Sequence, residues 1–272
     1  MKTAAKFIAH ALTGALIAAL LPAGVMAQNA TYYAGVVQHP ATNIPPTSVV
    51  ARYQLPFVEG GINNFSGIAT RNGVDLMLLS DHGFVVTGRL VRGYGQQIDG
   101  FELHQRVPLL NEHGMPLHGS LRDAEGLAID QNGRMYVSFE QHNRVLSYAR
   151  LGAPAEFLGE HRDFERMRSG AGMEALAISR DGAVYAIPER PARATYGFPS
   201  YRLQNGEWTG SFRLPEDGMF LPVGADFGPD GLLYVLEREQ GARGYRSQVR
   251  RFVVQGRAIS EPTVIMRSEY GQ

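Results

Sequence analysis

Four segments of the chain share one pattern, and that repeat limits the fold more than any other feature. They are Ser66–Asp81, Glu125–Glu140, Glu174–Glu189 and Val223–Glu237. Each runs from small and apolar residues through a polar-Gly turn into a β-rich run that ends in an acid. The turns are Asn72-Gly73, Asn132-Gly133, Asp181-Gly182 and Asp230-Gly231, with glycines 60, 49 and 49 residues apart. Asn-Gly and Asp-Gly supply the positive φ of two-residue hairpin turns. Hairpins repeating every 40 to 50 residues are the pattern of propeller blades. A sandwich also contains hairpins but has no reason to repeat a sequence at a fixed period. The expected fold class is therefore all-β, a β-propeller.

Gly 32 and Pro 15 keep helices scarce. Only Arg162–Arg168 reads as one or two helical turns. Outer strands are expected at Arg144–Ala149, at Ser200–Gln204 and Gly210–Leu214 (joined by a turn at Asn205-Gly206), and at Gln248–Val254 and Pro262–Met266. Two early strands, Tyr32–Val37 and Arg52–Val58, precede the first repeat and are expected to complete the last blade. Closing the ring in this way removes open edges. A further turn at the same spacing falls near position 280, past the last residue. The expectation is about four complete blade motifs, with the last blade incomplete and the domain C-terminally short.

Residues 1–27 read as a signal peptide: Lys2 and Lys6, a short apolar run from Ala11 to Leu21, then Val25-Met26-Ala27 as a cleavage site. The run is too short to span a membrane. Residues 28–272 then form one propeller domain, periplasmic or secreted, with no membrane anchor after cleavage. That chain has 24 Arg against 26 acids and no lysine. The near-neutral balance argues against nucleic acid as a partner. The sequence has no cysteine, which excludes disulfides, thiolate nucleophiles and Cys-ligated zinc.

The repeat marks two sets of positions. The first is Ser66, Glu125 and Glu174, broken by Val223; the second is Asp81, Glu140, Glu189 and Glu237. With the hairpin turn at the far end, both sets lie at one mouth of the central channel. Asp81, Glu125, Glu140, Glu174 and Glu189 are candidate ligands of a hard divalent cation such as calcium. Asp81, Glu125 and Glu174 are the candidate catalytic carboxylates, activating water or acting as acid and base. His82, Arg190 and Arg238 are candidate binders of an anionic ester substrate. The competing reading is structural: the acids bond backbone amides or arginines of neighbouring blades. Gly67 and Gly126 are expected to permit tight packing at the axis. Asp123 reads as a turn residue or a supporting acid, His142 as a further group at the mouth, and Trp208 as a packing residue. His104, His113, His118 and His161 show no metal-ligand spacing. Neither a Gly-x-Ser-x-Gly elbow nor a phosphate-cradling Gly-x-x-x-x-Gly-Lys is present.

Four groups of residues resemble the phytase-like family, described as having an esterase-like activity of phytase. They are Phe65-Ser-Gly-Ile-Ala with Leu79-Ser-Asp-His-Gly; Asp123-Ala-Glu-Gly-Leu-Ala-Ile with Tyr136-Val-Ser-Phe-Glu; Gly172-Met-Glu-Ala-Leu-Ala-Ile with Ala186-Ile-Pro-Glu-Arg; and Ala225-Asp-Phe-Gly-Pro-Asp-Gly through Arg238. Together they cover roughly residues 50 to 260. The resemblance implies a secreted bacterial propeller of five or six blades that acts on phosphate or carboxylic esters. It also implies a further Glu-Gly-Leu-Ala blade beyond the last residue. The dense aspartate clusters of a calcium-rich phytase are not visible. The Asp123–Asp130 segment also resembles lactonase propellers of the gluconolactonase type, which hold one divalent cation in the channel. The remaining alternative is a non-catalytic propeller that binds a ligand or partner at the same mouth. The sequence leaves the oligomeric state open.

Overall fold

The structure is a computed structural model and describes residues 53–55, 63–167, 170, 172–190 and 196–271. The signal segment and the expected strand at Tyr32–Val37 lie outside these residues. So does most of the run at Arg52–Val58, whose described part, Tyr53–Leu55, carries no strand.

Four antiparallel sheets of four strands follow one another along the chain. Blade 1 is β1 (Phe65–Thr70), β2 (Asp75–Ser80), β3 (Phe84–Arg92) and β4 (Ile98–Pro108). Blade 2 is β5 (Ala124–Ile129), β6 (Met135–Phe139), β7 (Arg144–Tyr148) and β8 (Ala155–Phe157). Blade 3 is β9 (Ala175–Ile178), β10 (Val184–Ile187), β11 (Phe198–Gln204) and β12 (Glu207–Leu214). Blade 4 is β13 (Leu221–Phe227), β14 (Leu233–Gly241), β15 (Gly244–Phe252) and β18 (Thr263–Arg267). A small hairpin, β16 (Val254–Gln255) with β17 (Ala258–Ile259), interrupts blade 4 before its last strand. The fold is the β-propeller expected from the repeat. The segment expected to be helical forms only one 3₁₀ turn, Phe164–Arg166.

The inner strands pack in sequence around an axis: β1 on β5, β5 on β9, and β9 on β13. Among the described residues β13 and β1 do not pack to the same extent. Each blade interface is a layer of apolar side chains. In β6, Met135, Val137 and Phe139 face blade 1, while Tyr136 turns toward blade 3. In β10, Val184 and Ala186 face blade 2, whereas Tyr185 and Ile187 face blade 4. A strand buried on both faces has no polar side to show. This is why β10 is apolar throughout rather than alternating. Trp208 packs edge-on to Phe164 and donates its indole N–H to the Leu158 carbonyl at 3.1 Å, the packing role expected of it.

The repeated turns differ from expectation in one respect. Gly133, Gly182 and Gly231 do have positive φ, but Asn132, Asp181 and Asp230 do not. Gly133 N–H bonds the Asp130 carbonyl, and Asp130 N–H bonds the Arg134 carbonyl. The same pair of bonds recurs around Gly182 and Gly231. These are three-residue loops, a type I turn followed by a left-handed glycine. In blade 2 the Asp130 carboxylate caps the turn by accepting from Asn132 N–H and Arg134 N–H. Asn205-Gly206 does form the two-residue turn, with φ of 55° and 80°.

Neighbouring inner strands approach closely at the axis. A Cβ on Gly67 would lie 3.0 Å from Leu127 Cβ. A Cβ on Gly126 would lie 2.5 Å from Ser138 Oγ, 2.9 Å from Leu176 Cβ and 3.0 Å from the Glu174 carbonyl. Adding a methyl here forces two blades apart. Gly126→Ala is expected to cost about 1–3 kcal/mol, read as a lower denaturant midpoint. An unchanged midpoint would mean that the blades do not meet as described.

Candidate functional site

The register places both sets of repeat positions at one end of the blades, as expected. Phe65 pairs with Ser80, Ala124 with Phe139, Ala175 with Ile187 and Pro222 with Glu237, while the glycine turns lie at the other end. The pairing also shows how the first-set residues are presented. The ladder slips between Phe65 and Gly67, between Ala124 and Leu127, and between Pro222 and Gly224. Ser66, Glu125 and Val223 therefore each sit in a β-bulge, a device that re-aims a side chain.

In blade 2 the bulge assembles a cluster. Asp123, Glu125 and Glu140 each bring a carboxylate oxygen within 4.8 Å of the others. Glu125 is buried, and Asp123 and Glu140 are half-buried. The backbone fixes the arrangement, because Glu140 N–H bonds the Asp123 carbonyl at 3.0 Å. Gly126 N–H bonds Ser138 Oγ, which in turn donates to the Met173 carbonyl of the strand entry into blade 3. Asp123 is thus part of the cluster itself, which its adjacency to Glu125 hinted at without revealing. Three carboxylates this close repel one another, and a cation among them would offset that repulsion.

The other expected residues are distributed differently. Glu174 is buried and lines the same central channel as Glu125 but is not part of the cluster. Ser66 donates to the Ala124 carbonyl at 2.6 Å, which ties blade 1 to blade 2. Asp81 lies 3.5 Å from His82 Nδ1, and His82 Nε2 is 3.2 Å from the Asn64 side-chain amide. This turn sits against blade 2, since a Cβ on Gly83 would lie 2.7 Å from Arg122 Cβ. Glu189 follows β10 with its N–H on the Gly172 carbonyl, and Arg190 beyond it is exposed. Arg238 lies over the Tyr245 ring at 5.1 Å. His142 faces Ser120 Oγ at 3.0 Å.

Glu237 takes the structural role. It is fully buried and gripped by Arg250, whose Nε lies 2.6 Å from Oε2, and by Gln248 at 2.8 Å. Arg250 also donates to the Pro215 carbonyl. Burial pushes the Glu237 carboxyl up from its ordinary value, and the Arg250 guanidinium opposes that. Removing one member of such a pair strands a buried charge. Arg250→Ala is expected to cost about 3–5 kcal/mol in denaturant unfolding. A loss below about 1 kcal/mol would contradict this role.

A second carboxylate escaped the sequence reading. Asp226 on β13 borders the central cavity of about 1000 Å³, where its side chain is exposed.

A β-propeller with a carboxylate cluster at one mouth of its channel is the class of protein that these features define. The phytase-like family, described as "Esterase-like activity of phytase", matches residues 60–265, and the chain belongs to it. Among curated proteins none matches the chain by sequence. Among solved structures, virginiamycin B lyase from Staphylococcus aureus is similar at 12% identity and a TM-score of 0.43. That match covers 74% of this chain and 55% of the lyase, so the chain spans about half of it. A gluconolactonase from Xanthomonas campestris is similar at 11% identity and a TM-score of 0.38, covering 70% of this chain and 68% of that one.

Proposed function

We propose that this protein is a secreted or periplasmic hydrolase of phosphate or carboxylic esters that works with a divalent cation, calcium by preference, at the channel mouth. The observation that carries the reading is the meeting of Asp123, Glu125 and Glu140 within 4.8 Å. Membership of the phytase-like family supports the ester chemistry. The donor set fits a hard cation, being all oxygen and all anionic. Three carboxylates fill part of a shell of six to eight oxygens, which leaves positions for water and substrate. A cation bound there supplies Lewis-acid polarisation of an ester or phosphoryl oxygen.

The chain's own residues do the rest. Asp123 and Glu140 are fastened to each other through the backbone, so the cluster needs little reorganisation when charge develops beside it. Glu174 lines the channel one blade away and is placed to take a proton from water. Asp81 and His82, on the turn packed against Arg122, offer a second proton-handling pair at the same end. Arg190 and Arg238 follow the second-set acids of blades 3 and 4 and supply positive charge for an anionic ester.

Hydrolysis of p-nitrophenyl phosphate, p-nitrophenyl acetate and a sugar lactone, with calcium and with a chelator, tests the reading. Activity on at least one ester is expected, lost with the chelator. Glu125→Gln and Glu140→Gln are each expected to lower kcat/KM by about tenfold or more. Activity that ignores both the chelator and both substitutions would overturn the proposal. Absence of hydrolysis on every substrate would leave a propeller that only binds.

A further inference from the structure

Two short segments run side by side at the mouth of blade 2. Gly119–Asp123 leads into β5 and carries a 3₁₀ turn, and Glu140–Asn143 joins β6 to β7. Ala124 and Phe139 are paired across the sheet, and the two segments continue from that pair. Three hydrogen bonds fasten them. Glu140 N–H donates to the Asp123 carbonyl at 3.0 Å. The Arg144 guanidinium donates to the His142 carbonyl at 2.9 Å and to the Leu121 carbonyl at 2.6 Å. Arg144 itself lies over the Phe139 ring at 4.1 Å. A single arginine thus grips both segments by their backbones.

The side chains brought together in this way are Ser120 and His142, with Ser120 Oγ 3.0 Å from His142 Nε2. In the tautomer protonated at Nδ1, Nε2 is an acceptor and the hydroxyl donates to it. A hydroxyl within hydrogen-bond reach of an imidazole is the geometry of a nucleophile and its base. Arg144 supplies the positioning, since it holds the backbone of His142 and of the residue after Ser120. Both side chains are exposed, so an incoming ester can reach them.

Chain connectivity keeps Ser120 Cα within about 11 Å of Asp123 Cα, and His142 Cα within about 8 Å of Glu140 Cα. The pair therefore stands at the rim of the carboxylate cluster. Three ionised carboxylates keep a net negative charge even around one divalent cation. That charge opposes a phosphate dianion but not a neutral carboxylic ester.

We propose that Ser120 and His142 form a nucleophile–base pair that takes up the acyl group of carboxylic esters. This rests on the reading of the mouth as an ester site and narrows it to that class. Ser120 Oγ attacks the ester carbonyl carbon while its proton passes to His142 Nε2. The bond to the leaving alcohol then breaks, the alcohol takes that proton, and an acyl-serine remains. Water next attacks the acyl carbon, its proton returns through Nε2 to Ser120 Oγ, and the carboxylic acid leaves.

The test is incubation of the full chain with a fluorophosphonate, followed by peptide mass mapping. Ser120 Oγ is expected to bond to phosphorus with loss of fluoride, about a hundredfold or more slowly in His142→Ala. Ser120→Ala is expected to lower kcat/KM for p-nitrophenyl acetate by about a hundredfold or more. Its melting temperature stays unchanged, because the side chain is exposed. No adduct on Ser120, an adduct that forms as fast in His142→Ala, or acetate hydrolysis that survives Ser120→Ala would overturn the proposal. Hydrolysis that needs calcium yet survives Ser120→Ala refutes the serine nucleophile and leaves the cation reading standing. A Ser120 adduct beside acetate hydrolysis that ignores a chelator and is lost in Ser120→Ala supports the nucleophile and refutes the cation.

Discussion

The close approach of inner strands at the propeller axis governs the rest of the molecule. Gly126 leaves space for Ser138 Oγ, Leu176 and the Glu174 carbonyl, each of which would lie within 3.0 Å of a Cβ placed there. That contact fixes where the blade 2 bulge lies, and the bulge fixes where Glu125 points. Hydroxyls then fasten one blade to the next: Ser66 to the Ala124 carbonyl and Ser138 to the Met173 carbonyl. The carboxylate cluster is a consequence of this stapled geometry. Asp123 and Glu140 lie just outside the strand ends and are tied together by the Glu140 N–H to Asp123 carbonyl bond, and preorganisation of that kind is what a charge-stabilising site requires.

The repeated acids serve two purposes that one sequence pattern hides. In blade 2 the two acidic positions converge, joined by Asp123. In blade 4 Glu237 is closed off by Arg250 and Gln248 inside the interface with blade 3. The difference is set by the cross-strand neighbour. Arg250 sits on β15 opposite Val235, two residues before Glu237 on the same face of the sheet, where it can reach the carboxylate. A buried pair of this kind is a weak source of net stability, although removing one partner alone is costly.

Much of the fold was legible in the sequence, because the repeat, the strand composition and the turn glycines all reflect one local unit. The outer strands at Arg144, Ser200, Gly210, Gln248 and Pro262 fall in the structure's β7, β11, β12, β15 and β18. Turn geometry was less legible. Asn-Gly and Asp-Gly suit both two-residue and three-residue loops; the Asp130 carboxylate caps the three-residue form in blade 2, while Gly228 starts the same loop in blade 4 with no side chain at all. The site was legible in outline only. That Glu125 and Glu140 share one end follows from hairpin geometry. That Asp123 joins them, and that Glu174 stays apart, depends on a bulge whose only sequence trace is the glycine after Glu125. Asp226 could have been found by aligning the four inner strands, where it replaces alanine.

The central claim is that Asp123, Glu125 and Glu140 form a cation site. Thermal unfolding of the chain with and without calcium, beside the Glu125→Ala/Glu140→Ala double variant, tests it most directly. A cation that binds only the folded state adds about 2.7 kcal/mol at a hundredfold excess over its Kd. The account predicts a rise in the melting temperature of several degrees with calcium, absent from the double variant. No rise with calcium, magnesium or manganese, or a rise of equal size in the double variant, would contradict it.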